Sequence, residues 1–285
     1  MCIEGERVGK AAESCGRNSS QPVSFDEASV NAALAGTIFV DKLHHFTSID
    51  STQTRAIADA QAGAEAGQVY VADEQTAGRG RSGHTWHSEP GSGLYVTVLV
   101  RPALRADDAL SISLAAGLAA QAAVQDVTGR RIDLRWPNDL VTLGPGSLKL
   151  GGILTETAMQ PNGYLRYAAI GIGINVNQSA MPAELQDVST SLRLLTGERS
   201  SREDLLIALL QRLETVLNVL AEGPGPVLGR FAENSTWVRG KWVHVAEGEG
   251  YTGVTDGLTE TGLLRVLCED GIRRMVRHGG VRELV

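Results

Sequence analysis

Between two β-rich runs, QVYVADEQ and LYVTVLVRP, the chain carries AGRGRSGHTWHSEPGSG, a stretch with five glycines and no periodicity. Such a stretch has to be a loop, so the local order is strand, long loop, strand. Within it, Gly78-Arg79-Gly80-Arg81-Ser82-Gly83 satisfies the pattern G-x-G-x-x-G. A dinucleotide fingerprint must leave a strand and open a helix, whereas this one runs through Thr85-Trp86-His87 into another strand, so the Rossmann reading fails on context. The glycines also lack the Gly-Lys-Ser/Thr continuation of a phosphate-binding P-loop. What remains is a mobile loop with two guanidinium forks, an indole and glycines that expose backbone N–H groups. That combination suits phosphate or carboxylate oxygens and a stacked purine. A solvated loop with Trp86 closing the core is the plain alternative.

The flanking sequence decides the fold class. Ser24-Phe25-Asp26-Glu27 reads as a capping box opening a helix toward Leu34, and TIFV with LHHFTSI reads as a strand pair. Ser51 and Thr52 can cap a helix running to Gly67, and Asp107-Asp108 precede the longest buried helix, which stops at Gly129. IDLRW, GGILTETAM and YLRYAAIGIGINV are strands joined by turns at Pro137-Asn138-Asp139, Gly144-Pro145-Gly146 and Pro161-Asn162-Gly163, which predicts a mainly antiparallel or mixed sheet. Helices follow from Ser201 and after Gly223-Pro224. From Trp237 the texture changes to short alternating segments that suit a small β-barrel. The expected organisation is a disordered leader over 1–23, an α+β catalytic domain over 24–235, and a β domain over 236–285.

Composition narrows the function classes. The chain of 285 residues is 42% hydrophobic and 21% charged, an ordinary globular balance. A net charge of −7 has the wrong sign for general attraction to nucleic acid or anionic membrane. Cys2, Cys15 and Cys268 have no metal-ligand spacing and read as reduced thiols. No signal peptide and no uninterrupted apolar run of about 20 residues stands out, so a cytoplasmic location is expected.

Three further segments place polar groups where ligands bind. Arg135-Trp136-Pro137-Asn138-Asp139 sets an amide and a carboxylate at a sharp strand end, although an Asx-turn explains the same residues. Lys149 enters a strand through Gly151-Gly152, and missing side chains in a strand mark close approach by a ligand or another backbone. Gly171-Ile172-Gly173-Ile174-Asn175 repeats that arrangement.

Ser51-Thr52-Gln53, Glu74-Gln75, the arginine-glycine loop with Trp86, Trp136-Pro137-Asn138-Asp139, Lys149-Leu150-Gly151-Gly152-Ile153 and Gly171-Ile172-Gly173-Ile174-Asn175 together resemble the biotin protein ligases in order and spacing, over about residues 40–285. The resemblance implies a class II synthetase-like biotin/lipoate ligase domain followed by an SH3-like barrel. It implies formation of biotinyl-5′-AMP from biotin and Mg²⁺·ATP, then transfer to a lysine of a biotin carboxyl carrier domain. By family position, Ser51, Thr52, Gln53 and Gln75 line the biotin pocket. Arg79, Gly80 and Arg81 close over phosphate, and Trp86 lies against adenine. Lys149 bridges carboxylate and α-phosphate, with Gly151 and Gly152 beside it. Asn175 takes the nucleotide side, Asn138 is a further ligand-binding residue, and Asp139 is the candidate base. The catalytic assignments are Lys149, Arg81 and Asp139, and no magnesium ligand is assigned.

Two positions depart from the family pattern: His84 stands where the loop commonly has arginine, and Arg135 where lysine is common. No winged helix can be drawn before residue 40, which sets aside a DNA-binding repressor. The enzymatic alternative is lipoate or octanoate attachment on the same fold. A monomer or weak homodimer is expected.

Overall fold

The computed structural model describes residues 25–277 and 280–284, so the leader expected over 1–23, Ser24, Cys2 and Cys15 lie outside it. Seven strands form the main sheet: β1 (Leu43–Phe46), β2 (Val69–Ala72), β3 (Gly93–Val100), β4 (Asp133–Arg135), β5 (Asp139–Val141), β6 (Lys149–Met159) and β7 (Leu165–Asn175). Their order is β1-β2-β3-β7-β6-β5-β4. Only β1 and β2 run parallel; every other neighbouring pair is antiparallel, as turn-joined strands require.

Alternation along β3 assigns the two faces of the sheet. Leu94, Val96, Val98 and Val100 point to one side, and Tyr95, Thr97 and Leu99 to the other; all are buried. Three helices cover the first side: α3 (Leu110–Thr128), α5 (Arg202–Ala221) and α6 (Pro224–Asn234). The Ser- and Ala-rich α3 is long and apolar enough to cross a membrane by length and composition, yet 67% of that window is buried within the fold. Its Ala115, Ala116, Ala119, Ala120 and Ala123 are wholly buried, and small side chains let α5 and the sheet approach closely. Gly129, at φ 66°, ends it in the left-handed region as expected.

The second side is only partly covered. Helix α2 (Thr52–Gln61) lays Ala56 and Ala60 against Tyr70, Leu99, Tyr167 and Ala169, and the sheet beyond that patch is left open for a site. Ser51 caps α2 by accepting from the Thr54 N–H. The helix stops at Gln61 and does not reach Gly67, because Gly63 turns to φ 99° and Ala64 N–H bonds back to Asp59.

Two other local expectations change. TIFV is a series of turns, in which Thr37 Oγ1 donates to Leu34 O and accepts from Phe39 N–H, sending Phe39 into the core. The strand pair is therefore β1 with β2. The first helix, α1 (Glu27–Ala33), is capped by Asp26, which accepts from Ser29 N–H at 3.1 Å. A short helix, α4 (Leu192–Thr196), capped by Ser191, was not legible in a stretch without apolar periodicity.

The C-terminal segment forms a second, five-stranded antiparallel sheet: β8 (Arg239–Val245), β9 (Tyr251–Leu258), β10 (Leu264–Cys268), β11 (Arg273–Val276) and β12 (Val281–Glu283), ordered β11-β10-β9-β8-β12. It is pinned to the main sheet beside the Trp-Pro-Asn-Asp turn. Trp136 Nε1 donates to Gly262 O at 2.9 Å, Thr236 N–H donates to Asp133 at 3.0 Å, and Arg135 lies 5.4 Å over the buried Trp237 ring.

Candidate active site

Where α2 stops covering the second face, a cleft of about 470 Å³ opens over β3, β7 and β6. Ser51, Thr52, Gln53, Gln75, Arg79, Gly80, Arg81, Trp86, Asn138, Lys149 and Gly152 all line it. Segments separated by up to about a hundred residues of chain thus converge on one surface.

Its floor depends on strand geometry. Gly152 pairs with Gly173, and Leu154 with Gly171, so glycines form the middle of the cleft. A methyl group at Gly173 would meet the Trp86 ring at 2.6 Å, and one at Gly171 would meet Gln53 Oε1 at 2.7 Å. The indole lies in the groove these glycines leave, with its Nε1 buried and without a hydrogen-bond partner. Lys149 reaches the same space because the β5–β6 register shifts: Val141 pairs with Lys149 but Leu140 with Gly151. The extra residue, Leu150, is a bulge that turns Lys149 to the side of Gly152.

Charges in the cleft are paired. Lys149 Nζ lies 2.7 Å from Asp139 Oδ1 and 5.5 Å from the Trp86 ring centre, and Arg135 holds the other Asp139 oxygen at 2.7 Å. Burial pushes the Asp139 carboxyl up, but Lys149 and Arg135 outweigh it and hold it below the ordinary carboxylate value. Arg81 donates to Asn138 Oδ1 at 2.8 Å, and Asn138 Nδ2 in turn donates to Ile153 O at 3.1 Å. Burial lowers the Arg81 guanidinium, partly offset by Asp139. Arg79 pairs with Glu156 at 2.9 Å. The loop itself is tight: Gly80 N–H donates to His84 O, Trp86 N–H to Gly78 O, and Ser82 sits at φ 54°.

The far end is neutral and polar. Thr52 Oγ1 bonds Thr97 Oγ1 at 2.9 Å and Gln75 Oε1 at 3.1 Å, Gln53 Nε2 donates to Ala169 O, and Gln75 Nε2 donates to Ser88 Oγ at 3.0 Å. A second cleft of about 1310 Å³ lies across Trp86 and Lys149, bounded by Arg135, Asn175, Val188 and Arg282. The indole and the lysine form a wall common to both clefts.

Some expected residues are placed differently. Gly151 faces away from the cleft, toward Leu140, by strand alternation. Asn175 borders the second cleft and gives its amide to Thr190 O at 2.9 Å. Asp139 sits behind Lys149, and His84 lines neither cleft. Tyr95 and Thr97 line the cleft without having been singled out from the sequence, and Gly171 and Gly173, read there only as part of a glycine-bearing strand, line it too. Thr97 is the one aliphatic hydroxyl inside LYVTVLV, a signal that was there to be read. Among the described residues no group of three or more His, Cys, Asp or Glu could hold a metal ion; Asp139 and Glu156, beside the smaller cleft, are ion-paired, and Asp187 is the one carboxylate lining the larger cleft. The side chains present therefore do not make a resident magnesium site.

The sequence profile of the Biotin/lipoate A/B protein ligase family matches residues 45–175. A solved structure, a biotin protein ligase from Aquifex aeolicus in complex with biotin and ATP, superposes with a TM-score of 0.71 at 30% identity, covering 86% of this chain and 100% of that one. The chain belongs to the biotin protein ligase family. Another relative in this family, the biotin–[acetyl-CoA-carboxylase] ligase of Mycobacterium tuberculosis, is 37% identical over 169 residues, 58% of this chain and 59% of that protein. The bifunctional ligase/repressor BirA of Bacillus subtilis is 34% identical over 192 residues, 67% of this chain and 58% of that protein. The chain thus spans less than two thirds of the length of these two biotin ligase relatives.

Proposed function

We propose that this chain activates biotin as biotinyl-5′-AMP and transfers the biotinyl group to a lysine of a biotin carboxyl carrier domain. The observation that carries the reading is the convergence of Lys149, Arg81 and the neutral Thr52–Gln53–Gln75 end on one glycine-floored cleft, with a larger cleft beyond Trp86. A neutral heterocycle suits the hydroxyl and amide end, which offers donors and acceptors without charge.

In the first half-reaction the biotin carboxylate attacks the α-phosphorus of ATP and pyrophosphate leaves. Two anions must meet, and Lys149 at the junction of the clefts supplies the positive charge that makes this possible. Arg81, tethered to Asn138, stands on the cleft side of the same junction. In the second half-reaction the carrier amine attacks the biotinyl carbonyl and AMP leaves. The closed loop excludes water from the mixed anhydride until that amine arrives. A carboxylate held between two cations accepts a proton poorly, so we assign Asp139 to positioning Lys149 and Arg135 in preference to general-base chemistry. Magnesium would arrive on the nucleotide, and no step here is routed through it. We place the activity in the cytoplasm, where biotin-dependent carboxylases supply the acceptor.

Incubation of the purified chain with biotin, ATP and Mg²⁺, followed by mass spectrometry, should yield biotinyl-5′-AMP, while lipoate in place of biotin should yield no lipoyl-AMP. Absence of the biotin adenylate, or a lipoyl adenylate in its place, would overturn the reading.

A further inference from the structure

The sequence contains twenty-two arginines but four lysines, Lys10, Lys42, Lys149 and Lys241. Its positive charge is therefore almost entirely guanidinium, which stays protonated and does not accept acyl groups. An amine with a free lone pair is what an acyl-adenylate acylates. Lys10 lies outside the described residues; each of the other three has its Nζ engaged. Lys42 Nζ donates to Ala66 O at 3.0 Å. Lys241 Nζ meets Glu283 Oε1 at 2.6 Å, with the Trp237 ring centre 5.2 Å away. Lys149 Nζ is held by Asp139, which Arg135 holds from the other side.

Lys149 is the decisive case, because it lines the cleft in which the anhydride would form. Were its Nζ neutral and unheld, it would be the amine nearest the activated carbonyl. The reaction would form an amide bond from Nζ to the biotinyl carbon and break the carbon–oxygen bond to the phosphate. AMP would leave with that electron pair, and the Nζ proton would pass to solvent. The cleft would then be blocked by its own product.

We propose that the fold shields its described lysines, Lys42, Lys149 and Lys241, from its acyl-adenylate, and that Asp139 does this inside the cleft by keeping Lys149 Nζ in the Asp139–Arg135 ion pair. The proposal rests on the ligase reading above. An ammonium has no lone pair, so Nζ must lose both proton and partner before it can react. Asp139 acts through Lys149 and is a positioning residue.

The test exposes the full chain to chemically prepared biotinyl-5′-AMP and, in parallel, to a succinimidyl ester of biotin, which acylates accessible amines without enzymatic help. Labelled sites are mapped by mass spectrometry in the wild type, in Asp139→Asn, in Asp139→Glu, and in Arg230→Lys, which puts an amine at an exposed position on α6. Lys42, Lys149 and Lys241 should label about tenfold or more slowly than the amine introduced by Arg230→Lys, the factor that breaking a charge-assisted hydrogen bond before reaction implies. Asp139→Asn should raise labelling at Lys149 by a similar factor without changing Lys42 or Lys241, and Asp139→Glu should restore protection. Wild-type Lys149 labelling as fast as the introduced amine, or no rise in a folded Asp139→Asn chain, overturns the proposal. If Asp139→Asn does not fold, the wild-type comparison with Arg230→Lys decides alone. A chain that makes no adenylate but keeps Lys42, Lys149 and Lys241 unlabelled by the succinimidyl ester would sink the ligase reading and leave amine shielding standing.

Discussion

Lys149→Ala removes a charge from the junction of the two clefts and little apolar contact. Adenylate formation, followed as pyrophosphate release, should fall by a factor of about a hundred to a thousand, in line with loss of a donor worth about 3–4 kcal/mol at a developing charge. Circular dichroism should remain that of the wild type; pyrophosphate release unchanged in a folded variant would remove Lys149 from its role. Arg81→Ala should behave otherwise. Its guanidinium ties the loop to Asn138, so its loss should release biotinyl-5′-AMP into solution and label bystander lysines while costing less in adenylation. Adenylate retained as long as in the wild type would make Arg81 an ordinary loop residue. At this scale the sequence told residue types better than residue directions. Lys149 points into the cleft only because Leu150 is a bulge, and register shifts leave no mark in composition. Gly151 and Gly152 look equivalent as letters, yet alternation sends one to Leu140 and the other to Trp86.

Among the elements, the arginine-glycine loop was the most legible, since five glycines between two strands admit no helix. Its conformational entropy makes closure depend on what fills the cleft. Cleavage by trypsin within residues 78–91 should slow when biotin and ATP are both present, and equal cleavage with and without them would deny the loop a covering role. The long helices were also legible, because leucines at helical spacing and glycine stops are local signals. Leu209 is wholly buried on α5, the helix packed against α3; Leu209→Ala should cost about 2–5 kcal/mol in urea unfolding and leave the cleft chemistry intact once folded. TIFV was misread as a strand because its β-branched and aromatic letters serve a buried turn, fixed by Thr37 and by Glu214, which accepts from Ile38 N–H at 2.7 Å. That partner lies 176 residues away, beyond the reach of any local pattern.

For the whole molecule, one apolar core runs from the main sheet through Phe231 and Trp237 to Val243 and Val266 of the second sheet. The boundary we propose near residue 236 is therefore a division of texture more than of stability. Truncation there removes the partners of Trp136, Asp133 and Arg135, and should lower the stability of what remains instead of releasing an intact catalytic domain. A truncated chain with the parent's unfolding midpoint would contradict this. Acid should act through Asp139. Its folded carboxyl ionises below the ordinary 3.8, so its contribution to stability is complete above that pH and is lost as pH falls through the lower folded value. The difference in urea midpoint between wild type and Asp139→Asn should accordingly close in strong acid. The wall of Trp86 and Lys149 that borders both clefts has a thermodynamic corollary. A ligand that fixes this wall from one side changes the free energy of fixing it from the other, so the two sites are linked. Linkage is reciprocal: whatever factor an occupant of the smaller cleft lends to affinity in the larger must be returned in full.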